Sequence, residues 1–307
     1  MSFINRRDFI KLTGLSTVAF SGFVNMPQLI GKVTDEAMPL DLAVVQNSDP
    51  ASLIRKAVEM LGGMSRFVKK GNTVLVKPNI GWDRAPEQAA NTNPEVVAEV
   101  IRLCRKAGAA KVMVFDNPCN EARRCYRRSQ IEEAAKAAGA DVSFMYQQKY
   151  QKTKIPQAKM LTSWEIYRDA LQADVMINVP IAKHHSLSRV TLGMKNLMGV
   201  IGGNRGALHN HFDVKIVDLN TLIKPQLTII DAVRILLRNG PQGGNLNDVK
   251  TINTVIAGVD PVATDAFGAT LFDLVPEKLG FLREAHARGL GEIDLSRLKI
   301  EHVNLAG

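Results

Sequence analysis

Asn178-Val-Pro-Ile-Ala-Lys-His-His185 runs on through Thr191-Leu-Gly-Met-Lys-Asn196 to Gly199-Val-Ile-Gly-Gly-Asn-Arg-Gly206, and the rest of the chain reads as a scaffold for it. The run that enters it, Val175–Val179, has the length and composition of a buried strand. Groups that bind anions or metals follow: lysines, histidines, side-chain amides and glycines. Apolar residues keep interrupting them, at Leu192, Met194, Leu197, Met198, Val200 and Ile201. A stretch that is both this polar and this apolar predicts a structured pocket wall beyond the end of a strand.

Outward from that strand the same alternation recurs. Strands are predicted at Leu42–Gln46, Thr73–Lys77, Lys111–Phe115, Val142–Met145, Leu227–Ile230, Thr254–Ala257 and Ile300–Val303. Between them, helix periodicity and caps predict a helix opened by Asp49-Pro50 and ended by Gly62-Gly63. Further helices are predicted over Glu95–Ala107, Ser129–Ala138, Asp213–Ile223 and Pro261–Leu274. Repeated strand–helix–strand order predicts an α/β fold, a mainly parallel sheet with helices on both faces. It would occupy residues 41–307, as one elaborate domain or two subdomains, after a linker over 22–40.

In such sheets ligands sit beyond the carboxyl ends of the strands. The residues there are Lys77 and Asn79, then Asp116, then Lys183 and His185, then Asp231. Each carboxylate and amide has a plainer reading, as a turn former or an ion-pair partner, and Asp260 before Pro261 reads best as an N-cap. Lys77 is harder to explain that way, because a lysine closing a buried strand needs a partner or an anion. Gly202-Gly203 could turn backbone amides toward an anion, with Arg205 as a bidentate clamp. His209 and His211 fall close after Lys195 and suit a divalent metal such as nickel, zinc or iron. His185, with a side chain that titrates near neutrality, and the lysines 183 and 195 are the candidates for acid/base work.

Composition narrows the partners. The net charge is +9 over 307 residues, and the excess favours a small anionic ligand. Nucleic acid is not expected: four Tyr and two Trp leave little to stack on bases, and no recognition motif occurs. The cysteines, Cys104, Cys119 and Cys125, contain no C-x-x-C pair, so no iron–sulfur cluster is expected. Cys119 and Cys125 could pair in an oxidising compartment.

Three resemblances add to this reading. Asn5-Arg-Arg-Asp-Phe-Ile-Lys-Leu12 with the apolar stretch after it resembles a twin-arginine export signal, placed at residues 1–21. That implies the twin-arginine translocase as a partner and a periplasmic or extracytoplasmic location, membrane-tethered if the signal stays uncleaved. Val76-Lys-Pro-Asn79, Val179-Pro-Ile-Ala-Lys-His-His185, Thr191-Leu-Gly-Met-Lys-Asn-Leu-Met-Gly199, Asn239-Gly-Pro-Gln-Gly243 and Gly258-Val-Asp-Pro261 resemble the bacterial and archaeal family catalogued as domain of unknown function 362. The Lys-x-His and Lys-Asn-x-x-Gly blocks carry most of that likeness, and bring Asn196 and Gly199 into the candidate site. The order His185, Lys195, His211 is also similar to nickel-pincer lactate racemases. That likeness implies a nicotinate-derived cofactor on Lys195, nickel on His211 and acid/base work by His185 on a 2-hydroxy acid.

Three functions fit. The first is an exported enzyme-like protein using acid/base or metal-assisted chemistry, isomerase-like or metal-dependent, on a small carboxylate or phosphate. It requires Lys77, His185, Lys195 and Asp231 to converge. The second is a periplasmic carrier of a small anion or metal. The third is an accessory protein of a respiratory complex, which requires an exposed apolar patch and no buried histidine.

Overall fold

The computed structural model describes residues 40–305. The export signal expected at 1–21, and the linker expected at 22–40 up to residue 39, lie outside the described residues.

The chain opens with β1 (Leu42–Gln46) and α1 (Pro50–Met60), whose N-cap Asp49 accepts from Ala51 N and Ser52 N. β2 (Thr73–Pro78), α2 (Pro94–Lys106) and β3 (Lys111–Val114) follow. Next come α3 (Ala122–Arg128), α4 (Ile131–Ala137), β4 (Asp141–Val142), β5 (Tyr150–Lys154), β6 (Ser163–Tyr167) and α5 (Arg168–Gln172). The organising stretch forms β7 (Val175–Val179), β8 (Ile181–His185), β9 (Arg189–Thr191) and the single turn α6 (Gly193–Asn196). The chain ends with α7 (Phe212–Leu222), β10 (Leu227–Leu236), β11 (Val249–Gly258), α8 (Pro261–Thr270), α9 (Gly280–Ala287) and β12 (Ile300–Asn304).

The main sheet runs β12-β1-β11-β10-β7-β2-β3-β4. It is parallel from β10 through β7, β2 and β3 to β4, while β11 runs antiparallel to both β1 and β10. It is therefore the α/β sheet that the alternation implies. Its apolar side chains pack into a cluster on each face. One gathers Leu53, Ile54, Val97 and Ile101 of α1 and α2. The other gathers Met194, Ile216, Val262 and Leu282 of α6 to α9.

Pro180 sets the geometry of the site. It has no N–H to donate, so the ladder of β7 cannot pass through it. The first part of β10 pairs with β7, at Leu227↔Ile177 and Thr228↔Asn178. The later part pairs with β8, at Asp231↔Ile181. β8 then folds back on β9 as a hairpin, which stands beyond the carboxyl end of β7.

Several expected boundaries move. The helix expected over Ser129–Ala138 is two short helices, because Gln130 takes a left-handed conformation (φ 61) between them. Lys183 and His185, expected in a loop after a strand, lie on a strand. β10 and β11 are twice their expected length or more, since each extends along the other as an antiparallel ladder. The β5–β6 hairpin was not anticipated; most of β5 faces solvent, so it carries no apolar alternation. Asp260 is the expected N-cap, accepting from Val262 N (2.7 Å) and Ala263 N (2.8 Å).

Asp218 on α7 fastens a loop to this frame. Its buried carboxylate accepts from the amides of Lys159, Met160 and Leu161, each at 2.8 Å, and from Arg288 Nη1 at 2.7 Å. Asp218→Ala would strand three amides and a guanidinium. It should lower stability by about 3 kcal/mol, read as a shifted urea midpoint at an unchanged slope.

Candidate functional site

The carboxyl ends of β2 and β3, with β8, open on one cavity of about 430 Å³, within the size range of small-molecule sites. Its wall includes Asn79, Asp116, Lys183, His185, Lys195 and Asn196. Gly199, Gly203, Arg205 and His209 line it as well, together with Trp82, Cys119 and Thr191. Residues from four separate sequence regions thus meet at the rim of the sheet.

A network of charges and amides lies in and behind this wall, and Lys77, expected to meet the ligand, is behind it and not among the lining residues. Lys77, fully buried, donates to Asp116 Oδ1 at 2.8 Å and to Pro78 O at 2.7 Å. Burial pushes Lys77 below its ordinary pKa, and the carboxylate of Asp116 opposes that shift. Asp116 Oδ2 accepts from Ile80 N at 2.5 Å. Asn196 Nδ2 reaches Asn178 Oδ1 at 2.9 Å, and Asn196 Oδ1 accepts from Asn79 Nδ2 at 3.0 Å. Asn79 Oδ1 in turn accepts from Lys183 Nζ at 3.0 Å. Gly199 lies against the ion pair: a Cβ there would stand 1.8 Å from Asp116 Oδ1 and 2.4 Å from Lys77 Nζ.

Lys195 is held by the turn that carries it. The carboxylate of Asp265, on α8, accepts from Gly193 N (2.6 Å) and Met194 N (2.9 Å), the first amides of α6. Asn178 Nδ2 donates to Gly193 O at 2.9 Å, and Asn220 Nδ2 to Met194 O at 3.2 Å. Burial pushes Asp265 up to about 7 against those two amide bonds. Lys195 Nζ then stands 2.9 Å from His209 Nε2 and 5.0 Å from the Phe212 ring centroid.

Neither Lys183 nor Lys195 has a carboxylate partner among the described residues, although they are only 1% and 7% exposed. Burial lowers each to about 7; the Asp116 carboxylate opposes that shift on Lys183, and neighbouring cations add to it on both. Lys183 spends two donors on Asn79 Oδ1 and on Ala90 O (2.5 Å).

The histidines differ in role. His185 Nδ1 accepts from Leu187 N at 3.1 Å, so its proton sits on Nε2. Burial and the nearby Lys195 hold its pKa down, to about 2. His185 is therefore a neutral N–H donor near pH 7, not the group that titrates there, as its residue type alone implied. Its ring stacks on His209 at 5.3 Å between centroids. His209 Nδ1 faces Gly206 O at 3.2 Å, which places its proton on Nδ1 and leaves Nε2 to accept from Lys195. Burial, then Lys195, also lower His209.

Other expected residues are placed elsewhere. Asp231 is fully enclosed away from the cavity wall; its carboxylate accepts from Asn93 N (2.7 Å) and Val233 N (3.0 Å), and burial pushes it up to about 6. It therefore does not join Lys195 and His185 in the cleft. Gly202 N is committed to Glu165 O at 2.8 Å, so it offers no amide to an anion. Arg205 lines the cavity, but its guanidinium donates to Asn117 O (2.6 Å) and Pro118 O (2.9 Å), clamping the loop after β3. His211 is exposed, in a left-handed conformation (φ 57) just before α7, and is not part of the wall.

Among the described residues no three His, Cys, Asp or Glu side chains group as a metal site requires. Lys195 faces His209 inside the cavity while His211 faces solvent, so a group held jointly by Lys195 and His211 does not fit this arrangement.

Sequence reasoning did not assign Trp82, Cys119 or Thr191 to the site. Cys119 carried one unused signal: it falls three residues beyond Asp116, past the carboxyl end of β3. All three cysteines are free, with Cys119 exposed and Cys104 and Cys125 buried.

Fold and cavity define an α/β protein with a cation-rich pocket at the carboxyl edge of its parallel strands. The chain belongs to the family described as Domain of unknown function (DUF362), whose model matches residues 74–270. A curated relative, the thylakoid-associated protein sll1697 of Synechocystis sp., is 29% identical over 246 residues, covering 77% of this chain and 74% of that protein. Among solved structures, the lactate racemase apoprotein of Thermoanaerobacterium thermosaccharolyticum matches with a TM-score of 0.48 and 12% identity. That match covers 75% of this chain but only 56% of the racemase chain.

Gly199→Ala should be among the most damaging single-methyl changes in the domain. The added carbon must separate Lys77 from Asp116 or push the Gly199 turn outward. A loss of about 3 kcal/mol or more is expected, measured by chemical denaturation, whereas Gly206→Ala, with only Asn204 Oδ1 at 3.4 Å, should cost less than about 1 kcal/mol.

Proposed function

We propose that this is an enzyme-like protein whose cavity takes a small anion, a carboxylate or a phosphate, and moves a proton on it with Lys195. The supporting observation is the pair of buried lysines that share one cavity and lack carboxylates. An ammonium taken out of water without a counter-charge is disfavoured, so each lysine gives up its proton readily. A bound anion supplies the missing charge and restores it. Lys183, anchored on Asn79 and Ala90, is the fixed anion contact. Lys195, with a pKa near 7, can take a proton as an amine and return it as an ammonium. His209 orients that amine, and His185 supplies a neutral N–H to charge developing on the substrate.

A simple carrier needs the cations but not the hydrogen-bonded Lys195–His209 pair. The respiratory accessory reading required no buried histidine, and His185 is 7% exposed.

Binding should take up protons. The free lysines titrate near 7 and the bound ones higher, so the unliganded protein carries fewer protons above neutrality. Affinity for inorganic phosphate or acetate should be greatest below pH 7. It should then fall by up to about tenfold per pH unit and lysine as pH rises, until the bound-state pKa is reached. Titration calorimetry at pH 8 in buffers of different ionisation enthalpy should show uptake on binding, and Lys195→Met should remove part of it. Binding without proton uptake, or affinity flat from pH 6 to 9, would contradict the proposal.

A further inference from the structure

Cys119 and Thr191 line the same cavity and have no part in the proton transfer just described. Thr191 is 4% exposed, and its hydroxyl has no hydrogen-bond partner. A buried hydroxyl left unpaired costs free energy, and in a cavity wall it marks where a ligand atom completes the bond. Cys119 is the exposed thiol of the chain, on the loop that Arg205 clamps through the carbonyls of Asn117 and Pro118. Its own amide donates to Gly81 O at 2.8 Å, which ties it to the strip carrying Trp82. Cys119 shares the cavity wall with Lys183 and Lys195.

We propose that Cys119 is a nucleophile of this cavity, and that the ligand is a small anion bearing an electrophilic carbonyl, such as a 2-oxo acid, whose carbonyl oxygen is received by the Thr191 hydroxyl. This rests on the anion-binding reading and narrows its substrate class. The step is an addition. Sulfur forms a bond to the carbonyl carbon as the C=O π bond opens. The thiol proton passes to the Lys195 amine and from there to the new alkoxide, giving a hemithioacetal. Nothing is oxidised or reduced, and no co-reactant is needed. The anionic group of the ligand stays on Lys183 throughout.

Competitive alkylation of the full chain tests both layers. Cys119 carboxymethylation by iodoacetate and carbamidomethylation by iodoacetamide are timed by peptide mapping, with glutathione as the reference thiol. The lysines should concentrate the anionic reagent, raising the iodoacetate-to-iodoacetamide ratio at Cys119 about tenfold above that of glutathione. Lys183→Met should abolish the gain. Glyoxylate, an anion with an aldehyde, should protect Cys119 at concentrations where acetate does not, and Thr191→Val should weaken that protection several-fold. A raised ratio with equal protection by glyoxylate and acetate would leave anion binding standing and overturn the nucleophile. A ratio equal to that of glutathione would overturn both.

Discussion

Three lysines are taken out of water at one edge of one sheet, and only Lys77 is given a carboxylate. That imbalance governs the rest of the site. Lys77, behind the cavity wall, and Asp116, in it, neutralise one another, and Gly199 must lack a side chain to lie over them. Lys183 and Lys195 have no carboxylate bonded to them, so their protonated forms are disfavoured. A shift from 10.5 to about 7 corresponds to on the order of 5 kcal/mol per lysine in the protonated state. The folded pKa lies below the unfolded one, so the unfolded chain binds more protons between about 7 and 10.5. Stability therefore rises with pH across that window. A fold that retains such a cost has a use for readily released protons or for an anion that removes the cost.

The scaffold meets that cost with rigidity. Asp265, Asn178 and Asn220 hold the short α6 turn from three elements and so fix the backbone just ahead of Lys195. Pro180 ends the β7 ladder and sends the chain into the β8–β9 hairpin, which brings Lys183 and His185 over the strand ends. Two histidines whose protons are fixed by local hydrogen bonds then shape the hydrogen-bond field around Lys195.

The architecture was legible in the sequence because buried parallel strands are continuous apolar runs with helices between them. The β5–β6 hairpin was not, because its strands are half solvated. In the site, Lys183, Lys195 and His185 stood out because lysines and histidines among apolar residues are hard to place otherwise. Asp231, singled out by its place after a strand, and His211, by its closeness to Lys195, lie elsewhere. Asp231 is bonded to the amides of Asn93, at the start of α2, and of Val233, and His211 turns out one residue ahead of α7. Position after a strand says nothing about which way a side chain leaves the backbone. Thr191 and Cys119 were missed because neither residue type announces itself; what marks Thr191 is an unpaired hydroxyl, visible only once its neighbours are in place.

The most direct test is titration of the lysine Cε resonances in ¹³C-labelled ligand-free protein, with Lys183→Met and Lys195→Met for assignment. The account predicts that both groups titrate near pH 7, apart from the bulk of the lysines. Two resonances titrating with the others near the ordinary lysine value of about 10.4 would contradict it.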